Sequence, residues 1–392
     1  MPKILHCADL HAGRPASRDL NEGKGSLRRR EIETSLHRIV DLAVLQKPDL
    51  LIISGDLFEH RYARPSWARE AAAVLASIPN IRVFIAPGNH DPALPDSLYR
   101  SIQWPDNVHL FLSGEIQEVV LPDLGVAVYG HGQLAFTDRE RPLKTFRAPR
   151  QDFVNIMVIH GEMIRPGLPE ESVYSPILWD DVENSGIDYL ALGHIHVPGT
   201  VTCGRTLAVY PGCPEPLDAG DVGKRGVYVV DLIKGSNEEA SIESEFIPMS
   251  LREVRSETVD VTGLCTHEQV RNALLAVAPL EERKRHTWTT TLTGRVEPEM
   301  NLDIQSLERE TSEDFFSLRI VPEYVPDYDI DGLIDSTNHS LEARFARHLV
   351  EVAKERAARN DLRGAKVAQQ AIYYGLDALR QGRVLLRGRR WN

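Results

Sequence analysis

A chain of 392 residues, 42% hydrophobic and 26% charged, holds enough material for two or three compact units and has the composition of an ordinary water-soluble protein. Its formal net charge of −12 argues mildly against a protein that coats nucleic acid on its own, because sequence-independent phosphate binding depends on clustered Lys and Arg. The longest apolar runs, such as Leu50–Ser54 and Ile156–Ile159, are strand-sized and far short of the roughly 20 residues that cross a bilayer, which excludes a transmembrane helix.

Along the first half, apolar strands alternate with amphipathic helices, the pattern of an α/β architecture. Lys3–Cys7 is the first strand. Leu27, Ile32, Leu36, Ile39, Val40 and Ala43 recur at helical spacing until Pro48 stops the run. Leu50–Ser54 reads as a buried strand, Ser66 as the cap of a helix reaching Ile78, and Ile81–Ala86 as a further strand. Glu115–Gly130 predicts two antiparallel strands, and Val154–Ile159 and Tyr189–Leu192 are again short and apolar. A last pair of strands, Leu207–Tyr210 and Gly226–Leu232, closes a unit spanning 1–245. From Arg252 the runs His286–Thr293 and Phe316–Val321 alternate with polar residues and accompany a helical segment His267–Ala278, giving a small α+β unit over 250–325. After Pro322 and Pro326 the chain turns helical, with apolar stripes on two helices between Leu341 and Leu379, separated near Asn360–Gly364, inside a segment 335–392.

Cys7, Cys203, Cys213 and Cys265 show no CxxC pairing and read as reduced thiols. With the first strand starting at Lys3, no room is left for a signal peptide, so the expectation is a cytoplasmic protein with no membrane attachment. Basic residues gather at Arg28, Arg29 and Arg30, at Arg139, Arg141, Lys144, Arg147 and Arg150, and from Arg380 through Arg390. Solvated faces and phosphate contacts are equally good readings of these clusters.

Five short motifs share one context, the carboxyl end of a predicted strand, where α/β sheets place their sites. They are Asp9 and His11; Asp56 in Ser54-Gly55-Asp56; Gly88-Asn89-His90-Asp91; His160 in Ile159-His160-Gly161; and Gly193-His194-Ile195-His196. Each alone reads as turn chemistry or a loop histidine. Together, carboxylate, imidazole and carboxamide donors suit two hard or borderline divalent cations. Two such cations need a bridging carboxylate, and Asp56, central in the series, is the candidate. In an extended segment side chains two apart share a face, which predicts that His194 with His196, and Asp9 with His11, point into the site. Gly55, Gly88, Gly161 and Gly193 let the backbone approach closely. Asp91 reads as the acceptor that fixes the His90 ring.

This ordered set resembles the calcineurin-like metallophosphoesterase superfamily over roughly residues 1 to 235. Within it, Cys7-Ala8-Asp9-Leu10-His11, Gly55-Asp56-Leu57-Phe58 and Tyr210-Pro211-Gly212 are similar to the SbcD-type nucleases of double-strand-break repair. Gly223-Lys224-Arg225-Gly226 and Ala371-Ile372-Tyr373-Tyr374-Gly375-Leu376 resemble the YhaO-like bacterial branch. The resemblance implies a four-layer fold, two packed mixed β-sheets flanked by helices, with a small α+β cap that holds DNA and a helical C-terminal segment that docks an ATPase; the apolar stripes of those helices fit a partner groove and packing against their own unit equally well. It implies one metal on Asp9, His11, Asp56 and His196 and a second on Asp56, Asn89, His160 and His194, with Mn2+ expected and Mg2+, Fe2+ or Zn2+ as substitutes. His90, with Asp91 as the second catalytic residue, would stabilise the pentavalent state or protonate the departing oxygen. The implied partners are DNA, an SMC-like ATPase of the SbcC or YhaN kind, and a second copy of the chain as a homodimer; Arg28, Arg29, Arg30, His60 and Arg147 are candidate DNA contacts. Two positions depart from the pattern. Where archaeal and eukaryotic relatives carry a histidine three residues after the bridging aspartate, this chain has Glu59, as bacterial relatives have an acid, with His60 beside it; and Cys213 follows Pro211-Gly212 where a hydroxyl is common. A phosphatase or phosphodiesterase for small phosphoesters, and a DNA-end scaffold, are the competing functions. The roughly 150 residues beyond the catalytic unit weigh against the first, and the intact ligand set against the second.

Overall fold

A computed structural model describes residues 2–15, 20–150, 152–167, 172–233, 241–335 and 339–384. The basic tail beyond Val384, with Arg387, Arg389 and Arg390, lies outside them. The chain divides into two compact units, Met1–Glu253 and Val254–Asn392.

The first unit runs β1 (Lys3–Cys7), α1 (Glu22–Glu33), α2 (Ser35–Gln46), β2 (Leu50–Ser54), α3 (Pro65–Ala76), β3 (Arg82–Ala86) and β4 (Val108–Leu110). It continues through β5 (Gln117–Leu121), β6 (Val126–His131), β7 (Val154–His160), the short β8 (Met163–Ile164) and β9 (Ile177–Leu178), α4 (Trp179–Glu183), β10 (Tyr189–Gly193), β11 (Gly199–Cys203), β12 (Thr206–Tyr210), β13 (Gly226–Ile233) and β14 (Ser241–Pro248). Two six-stranded sheets result, ordered β14-β13-β1-β2-β3-β4 and β11-β12-β10-β7-β6-β5. In the first, β1 to β4 are parallel and β13 and β14 antiparallel; in the second, β6, β7, β10 and β12 are parallel between antiparallel edges.

Strand periodicity explains the layering. Leu5, Cys7, Leu51 and Ile53 point to one face and pack under α2 and α3, while Ile4, Leu50 and Ile52 point to the other and meet Ile156, Val158 and Ala191 of the second sheet. The outer face of the second sheet buries Met157, Leu190 and Ala208 against Val182 of α4. The unit is therefore the expected four-layer stack of helices, sheet, sheet and helices.

Three local readings change. The helical run from Leu27 to Ala43 is two helices, because the Thr34 hydroxyl bonds Arg30 O (2.9 Å) and diverts the backbone between them. Helix α3 begins at Pro65 rather than under a Ser66 cap, proline being preorganised for the first helical position. Strands β12 and β13 are not a pair: β12 lies beside β10, and β13 beside β1 in the other sheet.

One polar chain ties the two sheets together through the apolar layer. Ser54 Oγ donates to Leu192 O (2.8 Å), so it accepts from His6 Nε2 (2.7 Å), which leaves His6 Nδ1 to accept from Tyr189 Oη (2.8 Å). His6 is neutral there, its pKa pushed down to about 3 by burial. His6 and Ser54 belong to one sheet, Tyr189 and Leu192 to the other.

The second unit contains β15 (Val254–Asp260), α5 (His267–Leu275), α6 (Leu280–Arg285), β16 (Thr287–Thr293), β17 (Arg295–Val296), α7 (Ile304–Glu310), β18 (Ser317–Pro322), β19 (Val325–Pro326), α8 (Ile330–Asp335), α9 (Leu341–Ala358) and α10 (Leu362–Gln381). Strands β15, β16 and β18 form a parallel sheet over a core that includes Val270, Leu274, Leu292 and Leu307. Helix α10 packs Ile372 and Leu376 against Ala346 of α9 and Tyr328. Among the described residues no helix is long and apolar enough to cross a membrane.

Replacing Tyr189 by Phe strands the buried His6 Nδ1, so urea unfolding of the chain should show a loss of about 1–3 kcal/mol with unchanged slope. An unchanged midpoint would mean that the chain across the sheets contributes nothing.

Candidate metal centre

The carboxyl ends of β1, β2, β3, β7 and β10 deliver every residue of the five motifs to one place. The loops after β1 and β2 are zipped by backbone bonds, Asp9 N to Gly55 O (3.0 Å), His11 N to Asp56 O (2.8 Å) and Ala12 N to Leu57 O (2.9 Å). The side chains converge for a different reason from the extended alternation expected of the sequence. Asp9, His11, Asp56 and His194 all have positive φ (54°, 48°, 53° and 101°), and such strained residues gather where a site imposes them. Two glycines make the approach sterically feasible: a Cβ on Gly55, itself at φ +95°, would overlap His160 Nδ1, and one on Gly193 would overlap Ser54 O.

Asp56 sits in the middle. Its Oδ2 lies 3.5 Å from His11 Nε2 and 3.3 Å from His160 Nε2, while its Oδ1 accepts from His90 N (2.8 Å). On one side, donor atoms of Asp9, His11 and His196 lie within 4.8 Å of one another. On the other, Asn89 Oδ1 is 3.0 Å from His160 Nε2 and 3.2 Å from His194 Nδ1. Asp9, His11, Asp56 and His160 are almost wholly buried.

The electrostatics describe a site short of positive charge. Burial raises the Asp9 pKa, and the neighbouring Asp56 adds to it, although the surrounding histidines pull the other way. Burial opposes protonation of His160, yet the Asp56 carboxylate outweighs it and lifts that imidazole to about 9. His194 is pushed down to about 3 by burial and by His160.

His11 provides the test of whether a cation fits. Its Nδ1 faces Glu59 Oε2 (3.3 Å), and its Nε2 is buried with no hydrogen-bond partner while aimed at Asp56 and Asp9. A proton on Nδ1 leaves a lone pair on Nε2 in a pocket of carboxylate oxygens, the arrangement that a divalent ion satisfies. His160 repeats it, with Nδ1 donating to Ser54 O (2.9 Å) and Nε2 turned inward. The residues present therefore fit a metal pair.

Asp91 corrects the sequence reading. It does not touch the His90 ring: it accepts from Gly88 N (2.7 Å), Asp56 N (3.2 Å), Phe58 N (2.9 Å) and Tyr99 Oη (2.5 Å), pinning the β2 and β3 loops together. Burial and Asp56 raise its pKa to about 6. The partner of His90 is Glu59, whose Oε1 and Oε2 lie 3.0 and 3.1 Å from His90 Nδ1. Burial works against the charge on Glu59, but hydrogen bonds from His11 and His90 outweigh it and bring its pKa down to about 2; the same bond raises His90. Asp221 takes the corresponding role at His196 Nδ1 (3.4 Å). Sequence reading missed Asp221 and Arg14, whose charge is felt by both His90 and His196, and it named Glu59 without its role. Glu59 and Arg14 each follow a motif residue by three positions; no local signal marks Asp221.

The candidate DNA contacts separate. Arg28 is corrected, because it is buried, with Nη1 bonded to Glu31 (2.9 Å) and Glu215 (2.7 Å) and Nη2 to Pro216 O (2.6 Å), which ties α1 to the loop after β12. Arg141 and Arg150 are paired with Asp181 and Glu118. Arg29, Arg30 and Arg147 are exposed, and His60 is half-buried with its N–H on His90 O (3.0 Å). Arg380 lies over the Tyr328 ring, 5.1 Å from its centre. Cys7, Cys203 and Cys213 are buried free thiols and Cys265 an exposed one.

A model of calcineurin-like phosphoesterases matches residues 2–198. The chain belongs to the calcineurin-like phosphoesterase family. It is 27% identical over 239 residues to the uncharacterized metallophosphoesterase YhaO of Bacillus subtilis strain 168, covering 59% of this chain and 58% of that one. It is 29% identical over 264 residues to the DNA double-strand break repair protein Mre11 of Aeropyrum pernix, covering 63% and 61%. A subunit of the nuclease SbcCD from Rhodobacter capsulatus is 25% identical over 281 residues, covering 60% and 67%. The chain thus spans about three fifths of the length of YhaO and of this Mre11.

In metal-free protein, Glu59→Gln removes the carboxylate that stabilises the His90 imidazolium, so the His90 pKa, raised in the native chain, should fall toward 6.5 in an NMR titration. No change would show that Glu59 does not set the charge of His90.

Proposed function

We propose that this phosphoesterase is a manganese-dependent two-metal DNA nuclease, acting in the cytoplasm on double-strand breaks together with an SMC-like ATPase of the SbcC or YhaN kind. The observation that carries the metal reading is the Asp56 carboxylate between two inward-facing imidazoles, with the orphaned His11 Nε2 beside it. DNA as the substrate rests on the likeness to relatives named as a repair protein and a nuclease subunit. In the same reading, residues 250–325 cap DNA, residues 335–392 dock the ATPase, the active form is a homodimer, and exposed Arg29, Arg30 and Arg147 with His60 meet phosphates.

Asp9, His11, Asp56 and His196 would hold one ion, and Asp56, Asn89, His160 and His194 the other; mixed imidazole and oxygen donors suit Mn2+. When bound, the pair supplies an acidified attacking water and neutralises charge on the phosphate. The chain's own residues do the rest. Glu59 holds a proton on His90 through Nδ1, leaving the other ring N–H to protonate the departing oxygen. Arg14 adds positive potential for the phosphate, and Asp91 keeps Asp56 and Asn89 in register by fixing both their loops.

With Mn2+ and linear DNA beside a bis-phosphodiester dye, His90→Ala should lower kcat roughly 100- to 10,000-fold while still binding two ions by calorimetry. Asp56→Ala should abolish both hydrolysis and paired binding. Hydrolysis of the dye alone by the native chain would reassign the substrate to small phosphoesters; full activity in Asp56→Ala would overturn the site.

A further inference from the structure

Beside the metal centre lies an aromatic and basic surface that the hydrolytic step does not use. Phe136 is 39% exposed, a large apolar ring held at the surface. The His60 ring packs edge-on against it, with centroids 5.7 Å apart and planes at 64°, and the exposed Arg61 guanidinium carbon lies 5.7 Å from the Phe136 centroid. Arg61 has no acidic partner among the described residues, in a chain whose net charge is −12.

Both halves of this surface are anchored to the site. His60 follows Glu59, the partner of His11 and His90, and bonds His90 O through its backbone. The Phe136 loop is held by Gln133, fully buried, whose Nε2 donates to His160 O (2.9 Å) and Ser175 Oγ (3.0 Å) and whose backbone N–H donates to Pro87 O (3.2 Å). Phe136 is thus joined to the site from two sides, through His60 at His90 O and through Gln133 at His160 O.

We infer that Phe136, with His60 and Arg61, is a stacking platform for one unpaired base next to the cleaved phosphodiester, an inference that rests on the nuclease reading. An aromatic face accepts any base, because every base has a π-face, and an unpaired guanidinium suits the adjoining phosphate. Bases inside a duplex have both faces covered by their neighbours, so the platform selects single-stranded or frayed DNA.

The test uses the full chain with Mn2+ and short single-stranded oligonucleotides, alongside strands of the same length built from abasic residues. Phe136→Ala should raise KM roughly tenfold on the strand with bases, the loss of one stacking contact, with kcat retained, and Phe136→Trp should restore it. On the abasic strand, native chain and Phe136→Ala should be equal. Equal KM values on the strand with bases, or the same loss on both strands, would overturn the platform while leaving the nuclease reading intact. A native chain that hydrolyses the dye but cuts no oligonucleotide would overturn the nuclease reading and the platform with it.

Discussion

Two carboxylates, Asp9 and Asp56, are buried where the ends of the two sheets meet, and the rest of the site follows from that arrangement. Burying a charge is costly: burial and the nearby Asp56 raise Asp9, while the charge and hydrogen bond of His160 and the charges of His11 and His90 outweigh burial and hold Asp56 low. The chain surrounds them with His11, His160, His194 and His196 and orients at least His11 and His160 so that one ring nitrogen faces a carboxylate or carbonyl and the other faces inward. Protons serve the cluster unevenly: the Asp56 carboxylate raises His160, whereas burial and His160 lower His194. The cluster is well compensated by divalent ions, and the left-handed backbone at four of its residues is the local strain the fold carries to hold it.

The scaffold resists that strain by joining the sheets at the same level. Ser54 ends β2, one residue before the Gly55-Asp56 turn; its hydroxyl reaches Leu192 of β10 and its carbonyl accepts from His160. With His6 and Tyr189 this forms a polar stitch through an otherwise apolar layer, so the strand ends of both sheets hold one spacing. Asp91 does the same between β2 and β3. A modest displacement between the sheets would separate Asp56 from His160, and with it the two halves of the donor set.

Much of this is legible in the amino-acid sequence alone. The strands that carry the site are short apolar runs, and each ends in a polar residue that a strand interior would reject, so Asp9, Asp56, Asn89, His160 and His194 stand out. What is not legible depends on contacts distant in sequence. Asp91 adjoins His90 in sequence but turns back to three amides and a tyrosine, whereas Glu59 reaches His90 across 31 positions. Asp221 reaches His196 from a loop with no pattern of its own. Arg28 sits in a basic triplet, yet its place under Glu215, 187 residues away, decides its role. The pairing of β12 and β13 with different sheets has the same origin, since two adjacent apolar runs do not say which sheet each joins.

The most direct test of the account is diffraction from crystals of the full chain grown with Mn2+, with data collected at the manganese absorption edge. Two anomalous peaks about 4 Å apart are expected, with the Asp56 carboxylate between them, one flanked by Asp9, His11 and His196 and the other by Asn89, His160 and His194. A single peak, or peaks away from Asp56, would contradict the account.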